Sequence, residues 1–190
     1  MDGEFAVGAH EDVIAALGLA VGQTFDADRL AELVEAETSR KARERALRLI
    51  NYRDRTSSEI RRRLIGSDFP EKAVEEVVDQ LSRAGLLDDG KFSRDWVKSR
   101  TASKPMGRLR LSHELRARGV EPKLVEEALE SLDNETERQL AHSLASRKLD
   151  KMDAGDPSTK TRLVSFLRRR GFGWETASEV VDSLCPVRGD

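Results

Sequence analysis

The chain has 190 residues, 36% of them charged and 5% aromatic, with a formal net charge of −2. The charged fraction exceeds the usual value of about 25%, so the composition favours solvated helices around thin cores over one large core. The sequence has no run of the ~20 apolar residues that span a bilayer and no signal-peptide pattern. Its single cysteine, Cys185, cannot pair internally. These features predict a cytoplasmic protein without a membrane-spanning segment.

The charges are unevenly distributed along the chain. Residues 1–39 contain nine acidic residues and one basic residue, a net charge of −8. The remainder contains 32 basic and 26 acidic residues, a net charge of +6. An acidic start joined to a basic body predicts a polyanion, or an acidic protein surface, as the partner of the body.

Residues 1–39 are predicted to form a short acidic appendage. Glu4–Val7 suits a short extended segment, and the apolar positions within Asp12–Leu19 suit one or two helical turns. Asp26 or Asp28 can cap a second short helix, because an aspartate side chain accepts hydrogen bonds from the first free N–H groups of a helix.

A pair of helices joined by a tight turn recurs three times after this appendage. The copies read IRRRLIGSDFPEKAVEEVVDQL, LSHELRARGVEPKLVEEALESL and LVSFLRRRGFGWETASEVVDSL. In each copy two anchoring leucines lie 17 residues apart: Leu64 and Leu81, Leu115 and Leu132, Leu167 and Leu184. Successive copies start 51 and then 52 residues apart, and such a constant period indicates a tandem helical repeat.

One further helical pattern precedes each copy, which gives three-helix modules at residues 40–87, 88–133 and 134–190. We therefore predict an all-α fold: three tandem three-helix repeats, similar to helix-turn-helix units, in an elongated, curved array with a short N-terminal appendage at residues 1–39. A frayed tail is expected after Leu184.

Local signals predict several helix ends. Thr56 and Glu59 form a capping-box pattern, and Asp156–Pro157 is typical of a cap followed by the first helical position. Gly85–Leu86 and Gly119–Val120 match a helix C-terminus at which glycine adopts the left-handed conformation and the next apolar residue folds back.

The sequence has no catalytic or metal-binding constellation. His10, His113 and His142 have no second histidine or cysteine at metal-ligand spacing. The glycine motifs of phosphate loops, nucleophile elbows and dinucleotide-binding folds are missing. Paired carboxylates such as Glu75–Glu76 suit solvated helix faces better than acid–base pairs. We predict a protein that is not an enzyme and that needs no cofactor or metal.

Arginines recur on the second helix of each module, beside an acidic third helix. At about 100° per residue, Arg62, Arg110 and Arg169 point away from the core leucines. Arginine, more than lysine, suits fork-like bonding to phosphate or carboxylate. For any single arginine, the alternative is an exposed ion pair with a neighbouring glutamate.

The predicted basic ridge consists of these arginines and the basic residues near them: Arg53, Arg55, Arg61, Arg62, Arg63, Arg94, Lys98, Arg100, Lys104, Arg108, Arg110, Arg116, Arg118, Arg168, Arg169 and Arg170. Few exposed aromatic residues accompany it, so base stacking is not indicated. Trp96 and Trp174 lie at positions compatible with a core and are predicted to be packing residues. The ridge predicts phosphate affinity without a sequence code.

The segment ALRLINYRDRTSSEIRRRLIGSDFPEKAVEEVVDQLSRAGLLDD, followed by FSRDWVKSR and GRLRLSHELRARGVEPKLVEEAL, resembles the RecX family of recombination regulators. The resemblance covers Ala46 to about Leu132, and GLAVGQTFDADRLAEL is similar to the family's lead-in. The third repeat matches in pattern more than in letters. The family's module junction corresponds to Leu87, Asp88 and Asp89. Its glycine–basic pair corresponds to Gly107 and Arg108, and its leucine-rich helix contains Leu111, Glu114 and Leu115.

The resemblance implies a non-enzymatic regulator that binds the RecA recombinase and its nucleoprotein filament. It implies that the three modules lie in the filament groove and inhibit strand exchange, ATP hydrolysis and coprotease activity. The implied partners are the RecA filament and single-stranded DNA, with double-stranded DNA as a further candidate. The basic ridge is then expected to face the DNA or an acidic protein surface of the filament.

Two alternatives stay open at this point. In the first, the chain is a stand-alone DNA-binding helical-repeat protein that acts through its basic ridge. In the second, it is a helical scaffold for another protein, and the arginines only keep it in solution. We expect a monomer for all of these functions, because no apolar stripe is left over once the cores are assigned.

Overall fold

The computed structural model describes residues 10–24, 26–153 and 156–186. Within these ranges the chain forms ten α-helices and no β-strand, which confirms the predicted all-α fold. The predicted extended segment at Glu4–Val7 and most of the predicted tail after Leu184 lie outside the described residues. No helix in these ranges combines the length and apolar composition that crossing a bilayer needs.

The helices are α1 (Glu11–Leu17), α2 (Ala27–Tyr52), α3 (Ser57–Ile65), α4 (Glu71–Arg83), α5 (Asp89–Ser103), α6 (Arg108–Ala117), α7 (Pro122–Glu130), α8 (Asn134–Leu149), α9 (Thr159–Arg169) and α10 (Trp174–Leu184). The chain divides into two compact units, Met1–Asp89 and Gly90–Asp190. The second unit contains both the second and the third predicted modules. The finer module boundaries stay a prediction.

Helix α2 runs without a break through the predicted boundary between the appendage and the first module. Asp26 caps it as predicted, and its carboxylate accepts a 2.9 Å hydrogen bond from the Arg29 N–H. The prediction of a separate short helix here is wrong. The Arg40 guanidinium pairs with both Glu37 and Glu44, three residues before it and four after, and so ties successive turns together where the break was expected.

The first three-helix core lies between the C-terminal half of α2, α3 and α4. Its fully buried side chains include Ala46, Ile60, Leu64 and Val77. A smaller apolar cluster joins α1 to the N-terminal half of α2. The predicted cap of α3 is confirmed, since the Thr56 hydroxyl accepts a hydrogen bond from the N–H of the residue three positions on.

The turn between α3 and α4 differs from its two counterparts in one residue. Glycines hold the left-handed position after α6 and α9, at φ 78° and 87°, whereas Asp68 holds it after α3 at φ 61°. In all three turns the next apolar residue donates its N–H to the last core leucine: Phe69 to Leu64 at 3.3 Å, Val120 to Leu115 at 3.2 Å, and Phe172 to Leu167 at 3.2 Å. The predicted cap at Gly119–Val120 is confirmed. Asp68 adopts a conformation that costs any residue with a Cβ some stability.

The second unit contains two three-helix cores that meet. Helices α5, α6 and α7 enclose a core that includes Val97 and Leu111. Helices α8, α9 and α10 enclose a core that includes Leu163 and Phe172. Leu140 packs against both cores, so the apolar interior of this unit is continuous.

A main-chain contact in the second unit joins the start of α6 to the end of α9. The Gly107 N–H donates to the Arg170 carbonyl at 3.0 Å, and the Leu109 N–H donates to the Gly171 carbonyl at 3.1 Å. These bonds satisfy donors and acceptors that helix ends leave without intrahelical partners. A Cβ added at Gly107 would lie 2.3 Å from the Gly171 oxygen, and one added at Gly171 would lie 2.5 Å from the Arg110 nitrogen. Both positions therefore require glycine.

The apolar contact after α4 comes from Leu87 and not, as predicted, from Leu86. Gly85 is left-handed at φ 69°, in agreement with the prediction. The N–H groups of both leucines point to the Leu81 carbonyl, at 2.9 and 3.3 Å. Leu87 is buried and Leu86 is 48% exposed, unlike the residues that directly follow the left-handed Gly119 and Gly171.

Two predictions in the last module are wrong. Trp174 is not a core residue but is 65% exposed, because the fully buried Phe172 already closes that end of the core. Asp156–Pro157 does not start α9. The Asp156 carboxylate instead accepts a 2.8 Å hydrogen bond from the Ser158 N–H in a tight turn, and the helix begins at Thr159.

We expect Gly171→Ala to lower the free energy of unfolding by more than about 2 kcal/mol, because the new Cβ meets the main chain of Arg110 at a positive φ. The matched control is Gly173→Ala, since Gly173 has no atom within 4 Å of a built Cβ and a φ of −59°. Gly173 is the N-cap residue of α10, where alanine is less favourable than glycine, so the control should lower stability by less than about 1 kcal/mol. Urea unfolding followed by circular dichroism measures both variants. Equal effects would contradict the close contact between Gly171 and the main chain of Arg110.

We expect Asp68→Gly to raise the free energy of unfolding by about 0.5–1 kcal/mol, because glycine adopts φ 61° without steric cost. As a control, Gln80→Gly at an exposed position inside α4 should lower it by about 0.5–1 kcal/mol. The two variants are compared by thermal unfolding. A loss of stability in both would show that the left-handed turn is not strained.

Candidate polyanion-binding site

Part of the arginine pattern is explained by the helix ends at which these residues lie. Arg62 and Arg63 occupy the last turn of α3, Arg116 that of α6, and Arg168 and Arg169 that of α9. Cations are favourable there because the free carbonyl groups give a helix C-terminus a partial negative charge. The repetition of arginine on the second helices therefore has a local electrostatic cause as well as any role in binding.

Arg55 in the first unit is a structural cation. Its residue is 7% exposed, and its Nε–H donates to the Leu49 carbonyl, near the end of α2, at 3.1 Å. Burial lowers the pKa of the Arg55 guanidinium, and the neighbouring cations Arg53 and Arg63 lower this pKa further. An arginine nevertheless stays protonated in a protein. Arg55 thus offers almost no surface to a partner, and its charge satisfies a helix end.

The other four arginines of the predicted ridge in the first unit fall into two groups. Arg53 pairs with Glu59 at 3.3 Å, and the Arg61 Nε–H bonds both oxygens of Glu75 at 2.8 and 2.9 Å. Arg62 and Arg63 are exposed and make no ion pair with any carboxylate in the described part of the chain. The expected solvated ion pair thus applies to Arg61, whereas Arg53 pairs with a buried glutamate. Arg62 and Arg63 keep their charge available.

Five basic residues of the second unit surround a single cavity, called here the basic cavity. Its volume is about 360 Å³. It is lined by Arg100, Lys104, Arg110, Arg169 and Arg170, together with Met106, Glu114 and Phe166. Five cations and one carboxylate give this small space a strong positive potential, which suits an anionic ligand.

The junction between α6 and α9 assembles the basic cavity. Arg110 lies in the first turn of α6, and Arg169 and Arg170 lie at the end of α9, so the hydrogen bonds of Gly107 and Gly171 bring the two groups together. Arg100 and Lys104 come from the end of α5 and the segment after it. Three separate stretches of sequence therefore contribute cations to one space.

Glu114 lies between two of these arginines. Its Oε1 is 3.4 Å from the Arg110 Nε, and its Oε2 is 3.3 Å from the Arg100 Nε. The Arg100 contact is an ion pair without hydrogen-bond alignment, since the Arg100 Nε has no hydrogen-bond partner. The Glu114 side chain is only 19% exposed, so the interaction is partly shielded from water.

Trp96 supports Arg100 from the other side. The Arg100 guanidinium lies 4.2 Å from the centre of the Trp96 ring, and Arg118 lies 4.0 Å from it. Phe92 stacks on the same ring at 5.8 Å. Trp96 is half-buried against the core, as predicted, but it also holds two guanidinium groups by cation–π interactions.

Arg108 has a structural role at the start of α6. Its N–H donates to the Glu137 carboxylate at 2.8 Å, and its Nη1 donates to the Leu132 carbonyl at 2.9 Å. The guanidinium therefore bonds the carbonyl that follows α7. Because it bonds this carbonyl, the Arg108 guanidinium is not directed at a ligand.

The other ridge residues of the second unit are exposed and lie outside the basic cavity: Arg94, Lys98, Arg116 and Arg168. Arg94 and Lys98 flank Asp95 on α5. A hydrogen bond from Lys91 lowers the pKa of Asp95, and the charges of Lys98 and Arg94 add to the effect.

Sequence reasoning missed four side chains of this region as members of a site: Glu114, Trp96, Met106 and Phe166. The spacing of Arg110 and Glu114, four residues apart on one helix, was a readable signal. The contact of Trp96 with Arg100 had the same signal, because these residues are also four apart on one helix. The contact of Glu114 with Arg100 had no such signal, because the two residues come from different helices.

Within residues 10–24, 26–153 and 156–186, no three His, Cys, Asp or Glu side chains come together as a metal ion would need. The chemistry that the described surface offers is anion binding. Its groups are guanidinium and ammonium donors.

Comparison with known proteins identifies the family. A model described as RecX, first three-helix domain, matches residues 42–81, and one described as RecX, second three-helix domain, matches residues 88–129. The chain is 39% identical over 150 residues to the regulatory protein RecX of Mycobacterium ulcerans (strain Agy99), covering 77% of this chain and 87% of that protein. The chain belongs to the RecX family.

Solved structures agree with the RecX fold. A crystal structure of a regulatory protein RecX superimposes with a TM-score of 0.73 at 25% identity, covering 95% of this chain and 90% of that one. The crystal structure of RecX from Lactobacillus salivarius gives a TM-score of 0.74 at 18% identity, covering 80% and 99%. The second likeness, at its low identity, concerns the fold alone. The predicted membership of the family and the predicted repeat fold are both confirmed.

Arg108 and Arg169 should respond differently to the same substitution. We expect Arg108→Met to lower the free energy of unfolding by about 1–3 kcal/mol, because the Leu132 carbonyl loses its charged donor, with little effect on heparin affinity. Arg169→Met should leave stability within about 0.5 kcal/mol, since the side chain is exposed, and should elute earlier from heparin. Urea unfolding and salt elution measure the two effects, and the reverse result would contradict these assignments.

Proposed function

We propose that this chain regulates RecA by binding the recombinase and its nucleoprotein filament, and that it inhibits the recombinase, ATPase and coprotease activities. Membership of the RecX family carries the proposal, since it rests on 39% identity over most of both chains. RecA acts on the chromosome, so we place the protein in the cytoplasm. We propose that it acts as a monomer without a catalytic site of its own.

Exposed arginines supply the surface for this role. Arg62 and Arg63 in the first unit, and the basic cavity in the second, present guanidinium groups that the protein's own carboxylates do not fully neutralise. Guanidinium forks match phosphate geometry and give strong, charge-assisted hydrogen bonds. The phosphates of the filament's single-stranded DNA are the ligands that we propose, and an acidic surface of RecA is the further candidate.

Two binding regions in one chain strengthen each other. Once one unit is bound, the other acts at a high effective concentration, and the overall affinity exceeds that of either region alone. Modest phosphate affinity in each unit is therefore sufficient for tight binding to a filament that repeats its DNA and protein surfaces. By occupying the filament groove, the chain would exclude a second duplex and disturb the contacts that sustain ATP hydrolysis.

The first test measures the rate of ATP hydrolysis by RecA on single-stranded DNA with this protein added. We expect strong inhibition well below one chain per RecA protomer, because one chain bound in the groove or at a growing end affects many protomers. Charge reversal at Arg62, Arg110 and Arg169 should raise the half-inhibitory concentration about tenfold or more, since binding weakens with every phosphate that is no longer neutralised.

The matched control reverses Arg43, Arg45 and Arg147, which are exposed, lie outside the predicted ridge and give the same change in net charge. This control should inhibit nearly as well as the parent protein. Equal loss of inhibition in both triple variants would show that only net charge matters. Circular dichroism establishes that the variants are folded.

The alternative is a DNA-binding protein that acts without a recombinase, and the basic cavity is the observation that favours it. It predicts no effect on the RecA ATPase together with tight binding to bare DNA. The logarithm of that affinity would fall with the logarithm of salt concentration by about 0.7–0.9 for every phosphate contact. Absence of ATPase inhibition with such binding would replace the first proposal by this one.

A further inference from the structure

The basic cavity contains one acidic side chain, and its placement is informative. Glu114 contacts Arg100 and Arg110, in both cases most closely through the Nε atom of the guanidinium. No hydrogen bond joins the terminal nitrogens of either arginine to a carboxylate among the described residues. A glutamate that simply neutralised an arginine would more commonly engage the terminal nitrogens as well, in the parallel fork that such pairs adopt.

The contacts of Arg100 restrict its guanidinium on two sides. The Glu114 carboxylate forms an ion pair with the Nε edge at 3.3 Å, and the Trp96 ring covers one face at 4.2 Å. Arg110 is held at its Nε edge by the same carboxylate. Both arginines line the cavity, so the restraint leaves their terminal N–H groups as the donors available to a ligand there. Less side-chain entropy is lost on binding when donors are held in place beforehand.

We propose that the basic cavity is a phosphate site for a single strand of nucleic acid, and that Glu114 is a positioning residue that holds Arg100 and Arg110 with their terminal donors free for one phosphodiester group. Arg169, Arg170 and Lys104 complete the positive surroundings of that phosphate. The inference rests on the proposed function, because it names the ligand that the second unit takes from the filament. It adds a role for an acidic residue that charge alone would not assign.

The lining favours a phosphodiester strand over a carboxylate of an acidic protein. Phe166 is half-buried and contributes apolar surface beside the five cations, whereas Met106 is only 3% exposed and lies beneath them as part of the core. A nucleotide brings a sugar and a base next to its phosphate, and these groups can cover such apolar surface. An aspartate or glutamate side chain carries only a short aliphatic stem. The cavity volume of about 360 Å³ also lies within the range of sites for small ligands.

Positioning and simple electrostatics make opposite predictions for Glu114→Gln. If the only effect of Glu114 is to repel the negatively charged ligand, its replacement by glutamine strengthens the binding of a polyanion. If Glu114 positions the arginines, glutamine fails to replace it, because its amide oxygen can serve one guanidinium while its amino group repels the other. Binding then becomes weaker although the protein has gained positive charge.

The experiment measures binding of a fluorescent oligo-dT strand by anisotropy over a series of salt concentrations. We expect Glu114→Gln to raise the Kd about tenfold at low salt, because the arginines no longer make their charged hydrogen bonds to the phosphate. The plot of log affinity against log salt should become shallower by about 0.7 for each phosphate that is no longer neutralised. If Glu114 only stabilised the fold, a variant that is still folded would have the same slope as the parent protein. Urea unfolding tests whether the variant is folded.

Asp182→Asn is the matched control. Asp182 is an exposed carboxylate of the same unit that pairs with Lys160 at 3.2 Å, outside the cavity. Its removal changes the net charge by the same amount, and we expect the Kd to stay the same or to fall slightly. An unchanged or lower Kd for Glu114→Gln, with a slope equal to or steeper than that of the parent protein, would overturn the positioning role.

A competition arm separates nucleic acid from an acidic protein as the ligand. Unlabelled oligo-dT should displace the probe at far lower concentration than poly-glutamate of equal charge, and equal displacement would overturn the phosphate assignment.

The RecA ATPase assay is run on the same variants, so that failure of the inference can be told from failure of the proposed function. If the parent protein inhibits RecA while Glu114→Gln binds DNA more tightly, the inference fails and the proposed function stands. If the parent protein has no effect on RecA, the proposed function fails independently of the oligonucleotide result.

Discussion

The close approach of two glycines is the constraint on which the second unit depends. Gly107 at the start of α6 and Gly171 after α9 allow two main-chain hydrogen bonds to form between helix ends, at 3.0 and 3.1 Å. Neither position has room for a Cβ. The bonds satisfy groups that would otherwise need water, and they fix Arg110 beside Arg169 and Arg170. The assembly of the basic cavity follows from this contact, and Leu140 joins the two cores at a second place.

Arginine serves two physical purposes in this protein, and the neighbouring acceptors decide which one applies. Arg55 and Arg108 donate to main-chain carbonyls near helix ends and stabilise the modules. Arg61 is neutralised by Glu75 on the adjacent helix. Arg62 in the first unit and Arg169 in the second have exposed side chains without a carboxylate partner in the described ranges. Counting arginines along a helix overestimates the binding surface, because the structural and paired members carry the same sequence signature.

Much of the fold was predictable because its signals are local. The 17-residue spacing of core leucines, the capping threonine at Thr56 and the turn at Gly119–Val120 each depend on residues within one helix pair. The errors arose where a local signal competed with a neighbour. The ion pairs of Arg40 continue α2 through a predicted break, and the buried Phe172 leaves Trp174 exposed. The sequence pattern was sufficient for element type, whereas tertiary packing chose among equally good local alternatives.

The sequence by itself determined the three helical repeats, the family and the set of basic residues from which a binding surface is built, because periodicity, turn chemistry and charge are properties of neighbouring residues. Tertiary structure alone decided which of those basic residues meet. Arg100, Arg110 and Arg169 belong to three different helices, and no spacing rule connects α5, α6 and α9. Arg110 and Arg169 meet through main-chain contacts between the ends of α6 and α9, and Glu114 lies beside Arg100 because α5 and α6 pack in one core, so both depend on how whole helices pack.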